Sequence, residues 1–405
     1  MPKSSLNLHS NRRRRKDGVA ALLLLALAVL ASMTHMDMDI AHADIANQSP
    51  PEIQGGDGFP HVELVTMGVG SLIWERHGHI ALCIRWTEPS RDRCYNYGVA
   101  NFADPIAMGI SFFRSEPSFW VAATTPQRLM ATYINADRTV WIQRLPLTAK
   151  QKRKVIDKLR FDIRKENRYY SYDHFFDNCT TRVRDVLDDA MDGAIHKIET
   201  PIGDRTIRDY ARKGFLGDRI ALLITDTFMG RVTDKIPTYW ERLYLPEYLR
   251  DAFQTEFNVE PRVFYQRKGP PSLEEGPSGR FVLFLIILLV TAPAWLTRMW
   301  GRFQRLGLAI AAFLPGLLGL IIWTGVIVSP VSYVRWNEAF FIFMPMDLAL
   351  PFLWRRKIAR RYAQIRVVEL ILVSLLLAVG IFRQPLWVHV LLPLIPCALV
   401  AFPKK

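Results

Sequence analysis

The last third of the chain sets the strongest limit on its fold. Long apolar runs begin after residue 280 and are joined by short loops whose charge alternates. Read as membrane spans they are Phe281–Leu296, Leu306–Val328, Ala339–Trp354, Val367–Phe382 and Leu386–Phe402, several shorter than the ~20 residues a bilayer core usually needs. Loop 297–305 carries Arg298, Arg302 and Arg305, whereas the next has only Arg335 against Glu338. Loop 355–366 is again strongly basic, the following loop has only Arg383, and the chain ends in Lys404 and Lys405. Basic loops stay in the cytoplasm, so residues 44–280 are expected outside and the C-terminus inside. Five spans give that answer from both ends. Asp347 and Glu369 fall within or at the edge of the third and fourth spans. An ionisable group at that depth is a functional candidate, although both can also serve an anchor that simply holds the outer domain at the bilayer.

The N-terminus fits the same picture. Five basic residues, Arg12 to Lys16, precede an apolar run from Val19 to Met33, and Ala41-His42-Ala43 places a cleavage site before Asp44. This is the pattern of a secretory signal, or of an uncleaved anchor, over residues 1–43. The expected division is then an exported domain at 44–265, a Pro/Gly-rich linker at 266–280 and a membrane domain at 281–405. The formal charge of +14 is concentrated beside the apolar segments. That distribution speaks for membrane topology, and no DNA- or RNA-reading pattern accompanies it, so no nucleic-acid partner is expected.

Within the exported part, Tyr170 to Ala190 reads YSYDHFFDNCTTRVRDVLDDA. Val183, Val186, Leu187 and Ala190 recur at helical spacing, and Asp177 or Asn178 is a natural N-cap. Cys179 then lies in the first helical turn, where the dipole favours thiolate and Arg182 and Arg184 add positive charge. The alternative is an inert buried cysteine. Upstream, Val62–Met67 reads as a strand. WERHGHIALCIRW and CYNYGVANF, joined by a polar loop, read as a β-hairpin. With Cys83 opposite Cys94, Ala81 faces Asn96 and Asn96 stands diagonally from His79. Such a register permits a disulfide, and it lets Asn96 orient the His79 ring as a third catalytic residue. Free thiols and a structural asparagine are equally compatible with it. His77, His61 and His174 compete with His79 as the base. Phe102 to Trp120 reads as an irregular segment facing lipid or substrate. A helix is expected from Pro126 to Ile134, a strand over Arg138–Leu145, and a basic helix opened by the Thr148–Gln151 capping box and running to Glu166. Arg205 to Phe257 reads as helical. Phosphate-loop, HExxH and zinc-type cysteine patterns are lacking, so neither a cofactor nor a metal is implied.

WERHGHIALCIRW, YNYGVANF and FFDNCTTRVRDVL together resemble the Lnb-type N-terminal periplasmic domain, over roughly residues 60–250. The order of histidine on a strand and then cysteine at a helix start is similar to the permuted branch of papain-like NlpC-type folds, which includes lecithin retinol acyltransferase-like enzymes. The resemblance implies an α+β papain-like (circularly permuted NlpC-type) exported domain followed by an all-α membrane domain of about five transmembrane helices. It also implies a thiol acyltransferase at the outer face of the cytoplasmic membrane, acting on lipid or lipoprotein. In that family the activity is associated with lyso-form lipoprotein formation. Cys179 would form the acyl-thioester and His79 would be its base, with Asn96 the candidate orienter and Arg182, Tyr97 and Asn178 the expected substrate contacts. The RHGH start and the pair Cys83 and Cys94 depart from the family pattern. A cell-envelope cysteine hydrolase and a non-catalytic scaffold are the competing readings.

Overall fold

β-Branched and aromatic residues in alternation build the centre of the outer domain. The structure, a computed structural model, describes residues 54–403 apart from 57, 271, 272, 274 and 275. The expected signal or anchor lies outside them. Seven strands, β1 (His61–Met67), β2 (His79–Arg85), β3 (Arg93–Val99), β4 (Phe119–Thr124), β5 (Val140–Leu145), β6 (Tyr169–Tyr170) and β7 (Arg262–Tyr265), pair in the order β6-β4-β3-β2-β1-β5-β7. Every pairing is antiparallel. The expected hairpin is β2–β3, with Cys83 opposite Cys94 and the two joined as a disulfide.

The longer helices of this part are α1 (Pro105–Phe113), α2 (Pro126–Asn135), α3 (Ala149–Asp162), α4 (Cys179–Ala190), α5 (Ile207–Lys213), α6 (Arg219–Phe228) and α7 (Pro246–Phe257), with a single turn at Tyr239–Arg242 before the last. Strand alternation gives the sheet two apolar faces. Val62, Leu64, Ile80, Leu82 and Ile84 pack against α3, α4 and α7. Val65, Met67, Ala81, Cys83 and Cys94 pack against Leu129 and Met130 of α2. Two expectations change in detail. The Phe102–Trp120 stretch is not irregular, because Asp104 caps a helix whose first residue is Pro105. The basic helix α3 opens on the expected capping box but stops at Asp162, four residues before Glu166, as the chain turns back toward β6. Arg205–Phe257 is helical as expected, divided into several short helices.

Beyond the linker come α8 (Arg280–Trp300), α9 (Gln304–Val328), α10 (Lys357–Ala378) and α11 (Leu391–Ala401). Among the described residues, α8 and α9 are long and apolar enough to cross a membrane. The stretch 339–354, expected as a span, is instead broken into turns at Glu338–Phe341 and Pro345–Ala349 and a short helix at Leu350–Leu353. Its exposed carbonyls are met by side chains. Trp323 Nε1 donates to Phe340 O and Phe343 O, and Arg366 donates to Ile342 O at 2.6 Å. Arg366 also meets Asp347 at 3.3 Å and Glu369 at 2.8 Å, so the two acids noted in the sequence share one buried guanidinium. α10 begins ten residues ahead of the expected Val367, inside the basic cluster.

The disulfide ties together the two strands that carry His79 and Asn96. A cross-link between residues eleven apart is worth about 3 kcal/mol of loop-closure entropy. Cys83→Ala/Cys94→Ala, or reduction, should therefore lower the unfolding midpoint of the detergent-solubilised protein, followed by tryptophan fluorescence. An unchanged midpoint would mean that the strands are held fully by their other contacts.

Candidate active site

Asn178 decides where the thiol sits. Its Oδ1 accepts from the N–H groups of Thr180 at 2.8 Å and Thr181 at 2.9 Å. Its Nδ2 donates to His174 O at 2.7 Å and Tyr244 O at 3.0 Å, and its own N–H donates to Thr181 Oγ1 at 2.7 Å. The result is a fully bonded N-cap, with Cys179 as the first residue of α4.

The Cys179 thiol is buried, with Thr180 Oγ1 3.8 Å from its sulfur. The backbone N–H of Ile80 also reaches it. Ile80 follows His79 directly, so the sulfur lies one peptide unit from the histidine. Gly98 backs the thiol from β3 with φ +82°, a left-handed conformation that strains any other residue. A Cβ there would lie 3.5 Å from Cys179 Cβ and 3.3 Å from the Tyr172 ring. By alternation His79 belongs to the α2 face and α4 to the other, and the link between them is the Ile80 N–H at the start of β2.

The His79 ring lies 5.9 Å from the Tyr133 ring of α2, nearly parallel to it. Burial lowers its pKa to about 4, the Arg138 guanidinium adds to that, and Asn96 opposes it. Arg138 is itself fixed by Gly68 O at 2.8 Å and Glu75 at 3.2 Å. Asn96 is buried and its Oδ1 finds no well-aligned donor. Burial also pushes the Cys179 thiol above its usual value, although Thr180 and the N–H groups of Ile80, Thr180 and Cys179 act against it. The stabilised thiolate expected from the helix dipole is therefore not the resting form. Desolvation outweighs the dipole here, and both partners rest neutral.

The remaining sequence candidates are placed as follows. Arg182 forms a two-pronged ion pair with Asp177 and lies over the Tyr170 ring at 4.3 Å. Arg184, expected to add charge near the thiol, turns instead to Trp240 and Asp185. Tyr97 is buried and donates to Asp162 at 2.7 Å. Asn178 is engaged in the cap. Each of Arg182, Tyr97 and Asn178 thus has partners within the protein. His77 and His174 pack on each other with ring centres 5.0 Å apart, and burial lowers them to about 3 and about 4 respectively. His61 is paired with Arg85, at the opposite end of β1 and β2 from His79. Tyr133, Tyr172 and Gly98 border the site without having been singled out in the sequence. The glycine of YNYG, in the middle of an apolar strand pattern, was the available signal. Among the described residues no cluster of three or more His, Cys, Asp or Glu side chains is arranged to hold a metal ion.

Residues 59–212 match the family described as the Lnb N-terminal periplasmic domain. This segment is an Lnb N-terminal periplasmic domain. The match takes in β1 to β6, all of α4 and most of α5, and so contains His79, Asn96 and Cys179 together. No curated protein and no solved structure matches the chain. The Lnb domain, followed by two helices able to cross a membrane, fits an envelope membrane protein with an extracytoplasmic segment.

The three partly buried histidines make the stability of the Lnb domain pH-dependent. Unfolded, each takes up a proton near 6.5, whereas the folded values are about 3 for His77 and about 4 for His79 and His174. Between those limits the unfolded chain binds more protons, so stability falls as pH drops. The unfolding midpoint should fall between pH 6.5 and about 4, and His77→Gln should flatten that slope. Midpoints measured across the range test this, and a flat profile would contradict it.

Proposed function

We propose that the protein is a membrane-bound, cysteine-dependent acyltransferase acting on lipid or lipoprotein at the outer face of the cytoplasmic membrane. The observation that carries the reading is the thiol at the capped start of α4, seated against the N–H of the residue after His79. A histidine on a strand with a cysteine opening a helix is read as the permuted papain-like arrangement, and α8 and α9, both long and apolar enough to cross a membrane, would keep the site near the bilayer surface.

In this mechanism neutral His79 takes the thiol proton as Cys179 sulfur attacks the carbonyl of an acyl ester. A C–S bond forms, the ester C–O bond breaks, and the imidazolium returns the proton to the departing alcohol. An amine then attacks the thioester: a C–N bond forms, the C–S bond breaks, and the amine proton passes by way of His79 to the sulfur, restoring the thiol. Asn96, whose side chain acts on the His79 ring, would fix its tautomer by turning the unpaired Oδ1 to accept the ring N–H. Thr180 and Thr181 N–H are occupied by Asn178, whereas the N–H groups of Cys179 and Ile80, which face the sulfur at rest, would turn to the oxyanion as the C–S bond forms. An amino group on a lipid-modified protein N-terminus as acceptor would make the product a lyso-form lipoprotein.

The test uses the full chain in membranes with an ester lipid bearing a labelled acyl chain. Wild type should carry an acyl adduct on Cys179 by intact-mass analysis. Cys179→Ser should lose the thioester, and His79→Ala should form it at least a hundredfold more slowly, the lower end of a general base's contribution. Equal acylation in all three would refute the assignment. Release of free fatty acid instead of an N-acyl product would make the enzyme a hydrolase.

A further inference from the structure

α1 is a helix without a charged residue from Pro105 to Phe113, set between Asp104 and Arg114. Its two faces have different fates. Met108 and Phe112 pack into the core of the Lnb domain. Ile106 and Ile110 stand out from it, 52 % and 53 % exposed, on the same side as Phe113 at positions i, i+4 and i+7. Phe113 in turn reaches the membrane helices. A Cβ at Gly325 of α9 would lie 3.5 Å from its ring, and Ser329 Oγ donates to Phe113 O at 2.6 Å. Beside that contact α9 exposes Ile327 and Val328. The bare face of α1 thus continues the apolar surface of a helix able to cross the bilayer. Loop charge assigns this end of α9 to the outer side, because the basic residues Arg298, Arg302 and Arg305 lie at its other end.

We propose that α1 is an in-plane helix seated in the outer leaflet, with Ile106 and Ile110 covered by phospholipid acyl chains. The occupant is lipid because the face is continuous with α9 and its exposed residues Ile106, Ala107, Gly109 and Ile110 are all apolar, with the exposed Arg114 at its end placed to meet a headgroup. The same helix leads to the thiol. Phe112 lies 6.3 Å from the Tyr172 ring, and Tyr172 borders Gly98, which backs Cys179. Two aromatic side chains therefore separate the leaflet from the nucleophile. The inference rests on α8 and α9 crossing a bilayer and is independent of the chemistry at Cys179.

Single cysteines at Ile106 and at Ile110, placed in a Cys179→Ser/Cys397→Ser full-length background and labelled with bimane, test it in phosphatidylcholine vesicles. The lipids carry a nitroxide on the acyl chain near the headgroup. Leu320→Cys on α9 serves as the lipid-facing reference and Arg153→Cys on α3 as the aqueous one. Both isoleucine positions should lose fluorescence to the extent that Leu320 does, with none lost at Arg153. Loss at Leu320 alone would overturn the proposal and leave the face to water or a protein. No loss at Leu320 either would remove the bilayer from this part of the chain and overturn it as well. Because the background lacks the nucleophile, neither result bears on acyl transfer.

Discussion

The cap made by Asn178 is the interaction on which the site depends. One side chain satisfies two first-turn N–H groups of α4 and at the same time holds the carbonyls of His174 and Tyr244. Aspartate would cap the helix equally well but could not donate to those carbonyls. The asparagine therefore does two jobs: it starts the helix at Cys179, and it fastens that start to the loop before it and to the segment ahead of α7. The sulfur reaches the N–H of Ile80 because α4 begins at that point and no other. Ile80 and Gly98, on the two strands of the disulfide-linked hairpin that also carries His79 and Asn96, flank it from the sheet.

A second set of buried polar contacts seats this domain on the helical region. The N–H groups of Gly230 and Arg231 donate to Tyr333 O and Trp336 O, and Asn337 and Gln384 donate back to Thr227 O and Met229 O. Thr227 Oγ1 lies 3.0 Å from His389 Nε2. Arg208, almost fully buried, gathers Asp234 and the carbonyls of Thr225, Asp226 and Met229 beneath them. A Pro/Gly-rich linker by itself would leave the domain loosely tethered. These contacts instead make a fixed joint, because opening it would leave buried donors and acceptors unmet. The orientation of the thiol relative to the helical region is thus a property of the fold.

Much of the site was legible because its signals are local. The Asn-Cys cap, the Thr148–Gln151 box and the Cys83–Cys94 register each depend on residues near one another in sequence, and all three are present. The rest depends on tertiary contacts. Tyr133 meets His79 only because α2 crosses the back of the sheet, and Arg184 left the thiol because Trp240, far along the chain, offers a ring and a carbonyl. The effect of burial on Cys179 likewise could not be read from a helix start. Hydropathy misplaced 339–354 because it registers apolar content and not broken backbone. Pro345 and Pro351 interrupt the helix, and Arg366 and Trp323 supply the bonds that make the interruption tolerable. Helix α1 escaped notice because a segment with two apolar faces has no polar stripe to betray its period.

The central claim is that His79 activates Cys179, and the rate at which iodoacetamide alkylates the thiol as a function of pH tests it most directly. With neutral imidazole as base, the rate in the full-length protein should be sustained through neutral pH and fall away only near pH 4, the value to which burial and Arg138 hold His79. Arg138→Gln should move that fall upward and His79→Gln should abolish the neutral-pH reactivity. A rate that rises only above pH 9, unchanged by His79→Gln, would show an unassisted buried thiol and contradict the account.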